Sequence, residues 1–238
     1  MQQISKQLAI VIGAGISGLA AALALGSLGW RVQVIERDSA PPSGGPEAAF
    51  ADWARRGVAQ MRHSHVFLSR LTNLMRDYYP DLLAEMHGAG CRILEFRDGL
   101  PPGLLENYVP VPQDADLSFV SSRRVTLELV LRRHVAGMPD VEIIQGSRVT
   151  GLLYDAQTSA LRVTGVEMEN SDGARRMDAD LTIDASGRGS RCPAWLQKAG
   201  VTVAEESAPA GIFYFTRCVR PCRSRHGTII QRLAISII

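Results

Sequence analysis

The sequence has little of several residue types, and each shortage argues against a class of protein. Cysteine occurs four times in 238 residues, and only Cys218 and Cys222 lie close together, so a disulfide-stapled secreted domain is not indicated. A reduced, cytoplasmic setting is therefore expected. The formal net charge is only +2, from 26 basic and 24 acidic residues. This small excess gives no reason to expect nucleic acid or an anionic membrane as a partner.

Metal-binding patterns are also scarce. Cys218, Cys222 and His226 form a C-x3-C-x3-H run, but this spacing matches no closed structural zinc site and no fourth ligand lies nearby. We therefore expect no metal. Internal repeats and low-complexity tracts are absent too, and a hydrophobic content of 46% over 238 residues supports the core of one large domain or two small ones.

Charge is missing altogether from residues 7–30. The stretch "IVIGAGISGLAAALALG", residues 10–26, is compatible with a secretory signal, a membrane span or a phosphate-binding turn. Gly13, Gly15 and Gly18 form a G-x-G-x-x-G motif between the apolar run Leu8–Ile12 and a segment with helical spacing. This order of strand, tight turn and helix favours the phosphate-binding turn and a dinucleotide ligand.

The residues after the motif extend this interpretation. The pattern predicts a helix over 16–28, a strand over 31–35 and an acid, Glu36, at the end of that strand. In such a unit Gly13 permits the turn, Gly15 lets the backbone approach a pyrophosphate, and Gly18 lets the helix lie close to the strand. A carboxylate at Glu36 would bind an adenosine ribose and repel a 2′-phosphate, which favours FAD or NAD over NADP.

The remainder of the chain separates FAD from NAD. An NAD dehydrogenase would continue with further alternating strands and helices, whereas here a long loop follows, and helices are predicted over 66–78, 81–87 and 125–135. After Pro139 the pattern alternates in four segments, and their polar connections "DAQTSA" and "NSDG" are typical of hairpins. We therefore predict strands over 141–144, 148–154, 161–169 and 181–184, which form a β-meander inserted into a Rossmann-like unit and then the apolar strand, 181–184, by which the chain returns to that unit.

These motifs, taken in order, resemble the FAD-dependent monooxygenases of the aromatic hydroxylase superfamily. The resemblance rests on the glycine motif, Glu36-Arg37, Arg124-x-x-Leu127-Glu128, the meander and "DLTIDASGRGSR". The segments "RRGVAQMRHSHVFL" and "DASGRGSRCPAWL" are most similar to the bacterial branch that includes flavin epoxidases. The resemblance implies an α/β fold of the glutathione-reductase type that binds FAD, with an inserted meander and an incomplete substrate-binding sheet.

The resemblance also implies roles for individual residues. Arg55 corresponds to the arginine that reaches the FAD pyrophosphate, Arg124 approaches the ribityl and phosphate region, and Val149 meets the adenine through its backbone. The cofactor-binding residues implied in this way, together with those of the glycine motif, are Gly13, Gly15, Gly18, Glu36, Arg37, Arg55, Arg124 and Val149.

The implied activity is the hydroxylation or epoxidation of an apolar small molecule through a flavin hydroperoxide, for which side chains mainly bind and orient. His63 and His65 are weak candidates for a place beside the flavin or the substrate. Many aromatic hydroxylases have an acid where this chain has Ser186, so electrons could come from NAD(P)H by a different approach or from a separate flavin reductase. A flavin dehydrogenase or prenyl reductase, and a non-catalytic FAD-binding remnant, are the alternative functions.

Domain boundaries follow from the same resemblance. Residues 1–80 and 120–204 are expected to form a discontinuous FAD-binding domain, and residues 81–119 and 205–238 part of a substrate-binding region. The resemblance ends near residues 214–217, where the composition changes abruptly. A chain truncated relative to the family is therefore expected.

Overall fold

The computed structural model describes residues 6–155, 161–204 and 206, and the backbone of residues 222–223 and 229–230. Three features discussed above lie partly or wholly outside the described residues. They are residues 156–160 of the predicted turn "DAQTSA", residues 214–217, where the resemblance ends, and Cys218 and His226 of the C-x3-C-x3-H run. The chain divides into two compact units, Met1–Val203 and Ala204–Ile238. The assignment of residues 81–119 to a separate substrate-binding region stays a prediction.

The described strands and helices alternate through most of the first unit. The strands are β1 (Leu8–Ile12), β2 (Arg31–Glu36), β3 (Ser64–Phe67), β4 (Arg92–Leu94), β5 (Phe119–Arg123), β6 (Val141–Gln145), β7 (Arg148–Asp155), β8 (Arg162–Asn170), β9 (Gly173–Asp178) and β10 (Leu181–Asp184). The helices are α1 (Ile16–Ser27), α2 (Pro46–Asp52), α3 (Ser69–Tyr78), α4 (Pro80–Gly88), α5 (Pro102–Leu105), α6 (Arg124–Ala136) and α7 (Cys192–Lys198). In the second unit, β11 (Cys222–Arg223) pairs antiparallel with β12 (Ile229–Ile230).

A four-stranded parallel sheet in the order β10-β1-β2-β6 forms the centre of the first unit. Alternate residues of β1 belong to two different hydrophobic clusters, because successive side chains of a strand point to opposite faces of the sheet. Ala9 and Val11 pack against the helical layer of α1, α3, α4 and α6, whereas Ile10 and Ile12 pack against the meander. Both faces of the sheet are therefore covered, as expected for a Rossmann-like α/β fold.

The predicted meander is confirmed, but its strands differ from those that the sequence indicated. Strands β7, β8 and β9 form an antiparallel sheet in chain order. The sequence did not predict β9, because its residues are mostly exposed and polar and lack apolar alternation. The segment predicted over 141–144 is β6, which pairs with β2 and belongs to the parallel sheet.

The helix predicted over 66–78 was wrong at its start. Val66 and Phe67 belong to β3, which pairs antiparallel with β5, and the helix begins at Ser69. Pairing with a strand more than 50 residues away in sequence decides the conformation of these two residues, and their local pattern does not reveal it. Strands β3, β5 and β4 form a separate antiparallel sheet.

No helix in the described part of the chain could serve as a membrane span. The longest described helix, α6, has 13 residues, against the roughly 20 that a bilayer requires. The apolar segment after Leu8 is instead a buried strand followed by the 12-residue helix α1.

Gly18 allows α1 to lie against the turn that precedes it. A Cβ atom at this position would lie 1.9 Å from the carbonyl oxygen of Gly13 and 3.3 Å from the Cβ of Ala185. Both neighbours are held by the parallel sheet, since Gly13 N–H donates to Ile35 and Ala185 N–H donates to Ile12. The backbone has little freedom to make room for a side chain here.

We therefore expect Gly18→Ala to lower the free energy of unfolding by about 1–3 kcal/mol, the usual cost of overpacking. Urea denaturation measures this change. The matched control is Gly15→Ala, since no described atom lies within 4 Å of a Cβ at Gly15; it should cost less than about 1 kcal/mol, because alanine is only a poorer N-cap residue than glycine. Equal losses in the two variants would contradict the steric account.

Candidate functional site

The turn between β1 and α1 has a backbone that only glycine adopts easily. Gly13 has a φ of 99°, in the left-handed region that disfavours other residues. Its N–H donates to the carbonyl of Ile35 over 2.8 Å, and a Cβ there would lie 2.8 Å from the carbonyl oxygen of Ala185. The turn is therefore enclosed by β2 on one side and by the loop after β10 on the other.

Gly15 lies at the opposite, open side of the same turn. It is the N-cap residue of α1, and the space that its side chain would fill contains no described atom within 4 Å. The first N–H groups of a helix lack partners within the helix and carry a partial positive charge. The start of α1 is thus an open cradle suited to an anion such as a phosphate group.

Glu36 is buried beside this turn, with 4% of its surface exposed. One carboxylate oxygen accepts the N–H of Ala14 and the other accepts the N–H of Asp38, each over 2.9 Å. Arg55 Nη1 lies 2.8 Å from Glu36 Oε2. Burial raises the pKa of Glu36, but Arg55 and the two backbone donors outweigh burial, so the pKa is lower than usual.

Arg55 is the cation at the centre of this group, and its side chain is 3% exposed. Its Nη1 also lies 3.4 Å from Asp38 Oδ2, and its Nε lies 2.9 Å from Glu128 Oε1. These are ion pairs without hydrogen-bond alignment, whereas Nη2 donates to the carbonyl of Ala14 over 3.1 Å. Burial lowers the pKa of Arg55, but Glu128 and Glu36 outweigh burial and raise it overall.

Helix α6 brings a row of charged residues to the same place. Arg124, Glu128 and Arg132 are spaced four residues apart and therefore share one helix face, and all three are buried. Arg124 donates to Glu128 Oε2 through Nη2 and Nε, over 3.1 and 3.3 Å. Arg132 Nη1 lies 3.5 Å from the carbonyl oxygen of Ala14, and the guanidinium groups of Arg55 and Arg132 both lie over the ring of Trp53.

Sequence reasoning gave no role to Glu128, Arg132, Asp38 or Trp53. A signal for the first two was present, because three charges recur every fourth residue in a helix whose other residues are largely apolar. A charged face on such a helix normally faces solvent. Here α6 is buried on nearly every side, so these charges need partners inside the protein.

The other predicted site residues lie around this network. Arg37 is more exposed, with its Nε 3.9 Å from Asp38 Oδ1. The carbonyl of His63 accepts the N–H of Arg124 over 2.9 Å. His65 lies in β3 opposite Ser122, where burial and then Arg124 lower its pKa. Both histidines are thus close to the start of α6.

Val149 lies on the face of the parallel sheet that the meander covers. The loop after β10 lies beside Gly13. Val149 is buried with Ile12 and Ile35 in the core between the parallel sheet and the meander. In the loop, the Asp184 carboxylate accepts the N–H of Ser186 over 3.0 Å and the hydroxyl groups of Ser186 and Ser190. These hydrogen bonds of Asp184 hold the backbone of Ala185 and Ser186, which contacts Gly13.

Comparison with known proteins agrees with this geometry. Residues 9–106 match the family model described as FAD dependent oxidoreductase. Over these residues the chain is similar to FAD-dependent oxidoreductases. The protein Rv3254 of Mycobacterium tuberculosis is 33% identical over 224 residues, an alignment that covers 88% of this chain and 44% of that protein. The chain thus spans about half the length of this curated relative.

Solved structures of flavoenzymes share the fold of this chain. PqsL, a probable FAD-dependent monooxygenase from Pseudomonas aeruginosa, aligns with a TM-score of 0.56 and 20% identity over 86% of this chain and 48% of its own. The p-nitrophenol 4-monooxygenase PnpA from Pseudomonas putida aligns with a TM-score of 0.52 and 17% identity over 80% of this chain and 43% of its own. At these identities the likeness is one of fold.

The first prediction from this site concerns Glu128. Glu128→Gln should lower the free energy of unfolding by about 3–5 kcal/mol, because it leaves the buried cations Arg55 and Arg124 without this carboxylate. Urea denaturation at neutral pH measures the loss. The control is Glu169→Gln, which breaks an exposed ion pair with Arg148 and should cost less than about 1 kcal/mol. A small loss for Glu128→Gln would show that the buried ion pairs contribute little.

The second prediction concerns pH. Because the pKa of Glu36 is lower in the folded protein than its ordinary value of 4.5, ionised Glu36 stabilises the fold above that value. This contribution is lost as the pH falls through the lower, folded pKa. In urea denaturation from about pH 6 to about pH 3, wild type should therefore be more stable than Glu36→Gln at the upper end, and the difference should narrow at the lower end. If the stability difference between wild type and Glu36→Gln stayed constant over this pH range, the lowered pKa would be contradicted. The control is Glu169→Gln, which also removes one carboxylate.

Proposed function

We propose that this protein is an FAD-dependent monooxygenase that hydroxylates or epoxidises an apolar small molecule. The observation that carries the proposal is the open cradle at Gly15, at the start of α1, with the buried carboxylate of Glu36 beside it. The family match supports FAD as the cofactor. The fold likeness to the monooxygenases PqsL and PnpA is the ground for proposing this type of reaction.

The residues present fit the adenosine diphosphate half of FAD. The cradle has the space and the helix N–H groups that a pyrophosphate requires, and a glycine there lets the backbone approach the ligand closely. Glu36 uses its two oxygens for two backbone N–H groups and Arg55. A carboxylate has about four lone-pair sites, so Glu36 retains acceptor capacity for a ribose hydroxyl.

The arginines provide the positive charge near the pyrophosphate. Arg55 is bonded to the carbonyl next to Gly15, and Arg124 lies at the start of α6, within reach of Glu128. We propose that Arg55 and Arg124 stabilise the phosphate and ribityl region, and that Arg37 and the backbone of Val149 border the adenosine. Asp38 and Glu128 hold Arg55 in place, so its charge is fixed before the cofactor binds.

Bound FAD would supply the redox chemistry, and the chain's own residues would bind, orient and exclude water. His65 has a lowered pKa, so its imidazole is neutral near pH 7 and can donate one hydrogen bond to the flavin or the substrate. His63 is the second candidate, since its backbone is bonded to Arg124. We propose one of the two for this position.

The electron donor and the cellular location of the protein are also part of the proposal. Ser186 occupies the place of the acid that many aromatic hydroxylases have, so we propose reduction by NAD(P)H through a different approach or by a separate flavin reductase. A cytoplasmic location is supported by the free thiols of Cys91 and Cys192, which suit a reducing compartment. The activity, substrate and partners of the whole protein are part of this proposal.

Ligand titration of the purified protein tests the site directly. We expect FAD and ADP to bind, and ADP carrying an additional 2′-phosphate to bind at least roughly tenfold more weakly, because the charge of Glu36 repels that group. FMN, which lacks the adenosine half, should bind weakly. Gly15→Val fills the cradle and should abolish ADP binding. Calorimetry measures the affinity of each of the four ligands. Failure of wild type to bind either FAD or ADP would overturn the proposed cofactor.

Oxygen-dependent oxidation of NADH or NADPH tests the reaction separately. The FAD-loaded protein should consume NAD(P)H, alone or with an added flavin reductase, and should release hydrogen peroxide when no substrate is present. A protein that binds FAD but consumes no reductant under either condition would favour the alternative of a non-catalytic FAD-binding protein.

A further inference from the structure

Arg132 is a buried cation that forms no direct ion pair within the described residues. Its surface is 3% exposed, and within the described part of the chain no carboxylate lies within ion-pair distance of it. Its Nη2 has no hydrogen-bond partner there. Burial, and then the nearby charge of Arg55, lower the pKa of Arg132, and they outweigh the opposite effect of Glu36, Glu128 and Asp38 beyond ion-pair distance. Burying a charge without a direct ion pair is costly, so packing alone gives no reason for an arginine at this position.

The hydrogen bond and the ring contact of Arg132 both lie beside the phosphate turn. Its Nη1 lies 3.5 Å from the carbonyl oxygen of Ala14, the residue between Gly13 and Gly15. Its guanidinium lies 5.8 Å from the ring centre of Trp53, which Arg55 also approaches. Arg55 donates to the same Ala14 carbonyl. Two cations therefore converge on one backbone oxygen of the phosphate turn.

This carbonyl controls the direction of a neighbouring N–H group. The carbonyl of Ala14 and the N–H of Gly15 belong to one planar trans peptide unit, so they point in opposite directions. The N–H of Ala14 is fixed in turn by Glu36. When the arginines hold the carbonyl on one side, the Gly15 N–H is held on the other, at the residue where the structure has an open cradle.

We propose that Arg132 is a positioning residue of the proposed FAD site: together with Arg55 it holds the Ala14 carbonyl and thereby aims the Gly15 N–H at the pyrophosphate. This inference rests on the proposed function. Arg132 acts through the backbone of the turn, whereas Gly15 and the start of α1 contact the phosphates. The role predicts an effect on ligands that contain phosphate and none on the adenosine part.

The test compares ADP with adenosine in Arg132→Met. Methionine fills much of the same space without charge or donor, so ADP should bind roughly tenfold more weakly, and adenosine should bind as it does to wild type. The melting temperature should be unchanged or higher, because a costly buried charge has been removed. Arg132→Lys restores the charge and should recover part of the ADP affinity. Isothermal calorimetry and thermal unfolding give the readouts.

The control is Arg70→Met, which removes one arginine from the exposed surface of α3 and should change neither ligand's affinity. Three results would overturn the inference: unchanged ADP affinity in Arg132→Met, equal weakening of ADP and adenosine, or a variant that fails to fold. The last two would show a structural role. A wild-type protein that binds no ADP would instead overturn the proposed function, so the two failures are distinguishable.

Discussion

The buried guanidinium of Arg55 joins three parts of the fold that are distant in sequence. It pairs with Glu36 at the end of β2, donates to Ala14 in the phosphate turn, and pairs with Glu128 in α6. The turn, the strand and the helix are therefore linked through one side chain that solvent hardly reaches. Because each partner is also bonded elsewhere, displacement of one element would leave charges unpaired inside the protein.

This network depends in turn on how the sheet is built. Strand β1 lies between β10 and β2, so its last residue leads into a turn that both neighbours confine. Helix α1 lies close to that turn because Gly18 has no side chain, and the meander covers the opposite face of the sheet. Among the described residues, none fills the side of the turn at Gly15, and a ligand can approach there.

The local parts of this site could be predicted from the sequence. The glycine motif, the strand before it and the acid at the end of β2 lie within 30 residues, and each has a recognisable pattern. The pairing of Arg55 with Glu128 could not be predicted, since the partners are 73 residues apart (128 minus 55) and no local pattern links them. The start of α3 was misplaced for the same reason, because β3 forms only through its pairing with β5. The exposed strand β9 lacks the apolar alternation on which strand prediction depends.

The position of β10 beside β1 has a consequence for the order in which the protein can fold during synthesis. Residue 9 pairs with residue 181, and the carbonyl of Ala185 encloses the turn at Gly13. During synthesis, β1 must therefore wait for more than 170 further residues before its second neighbour exists. Contacts of such long range slow folding, because a long loop must be closed before they form. The nascent chain can complete its phosphate turn only after the meander and β10 have been made, and until then the apolar edge of β1 is a surface that chaperones would recognise.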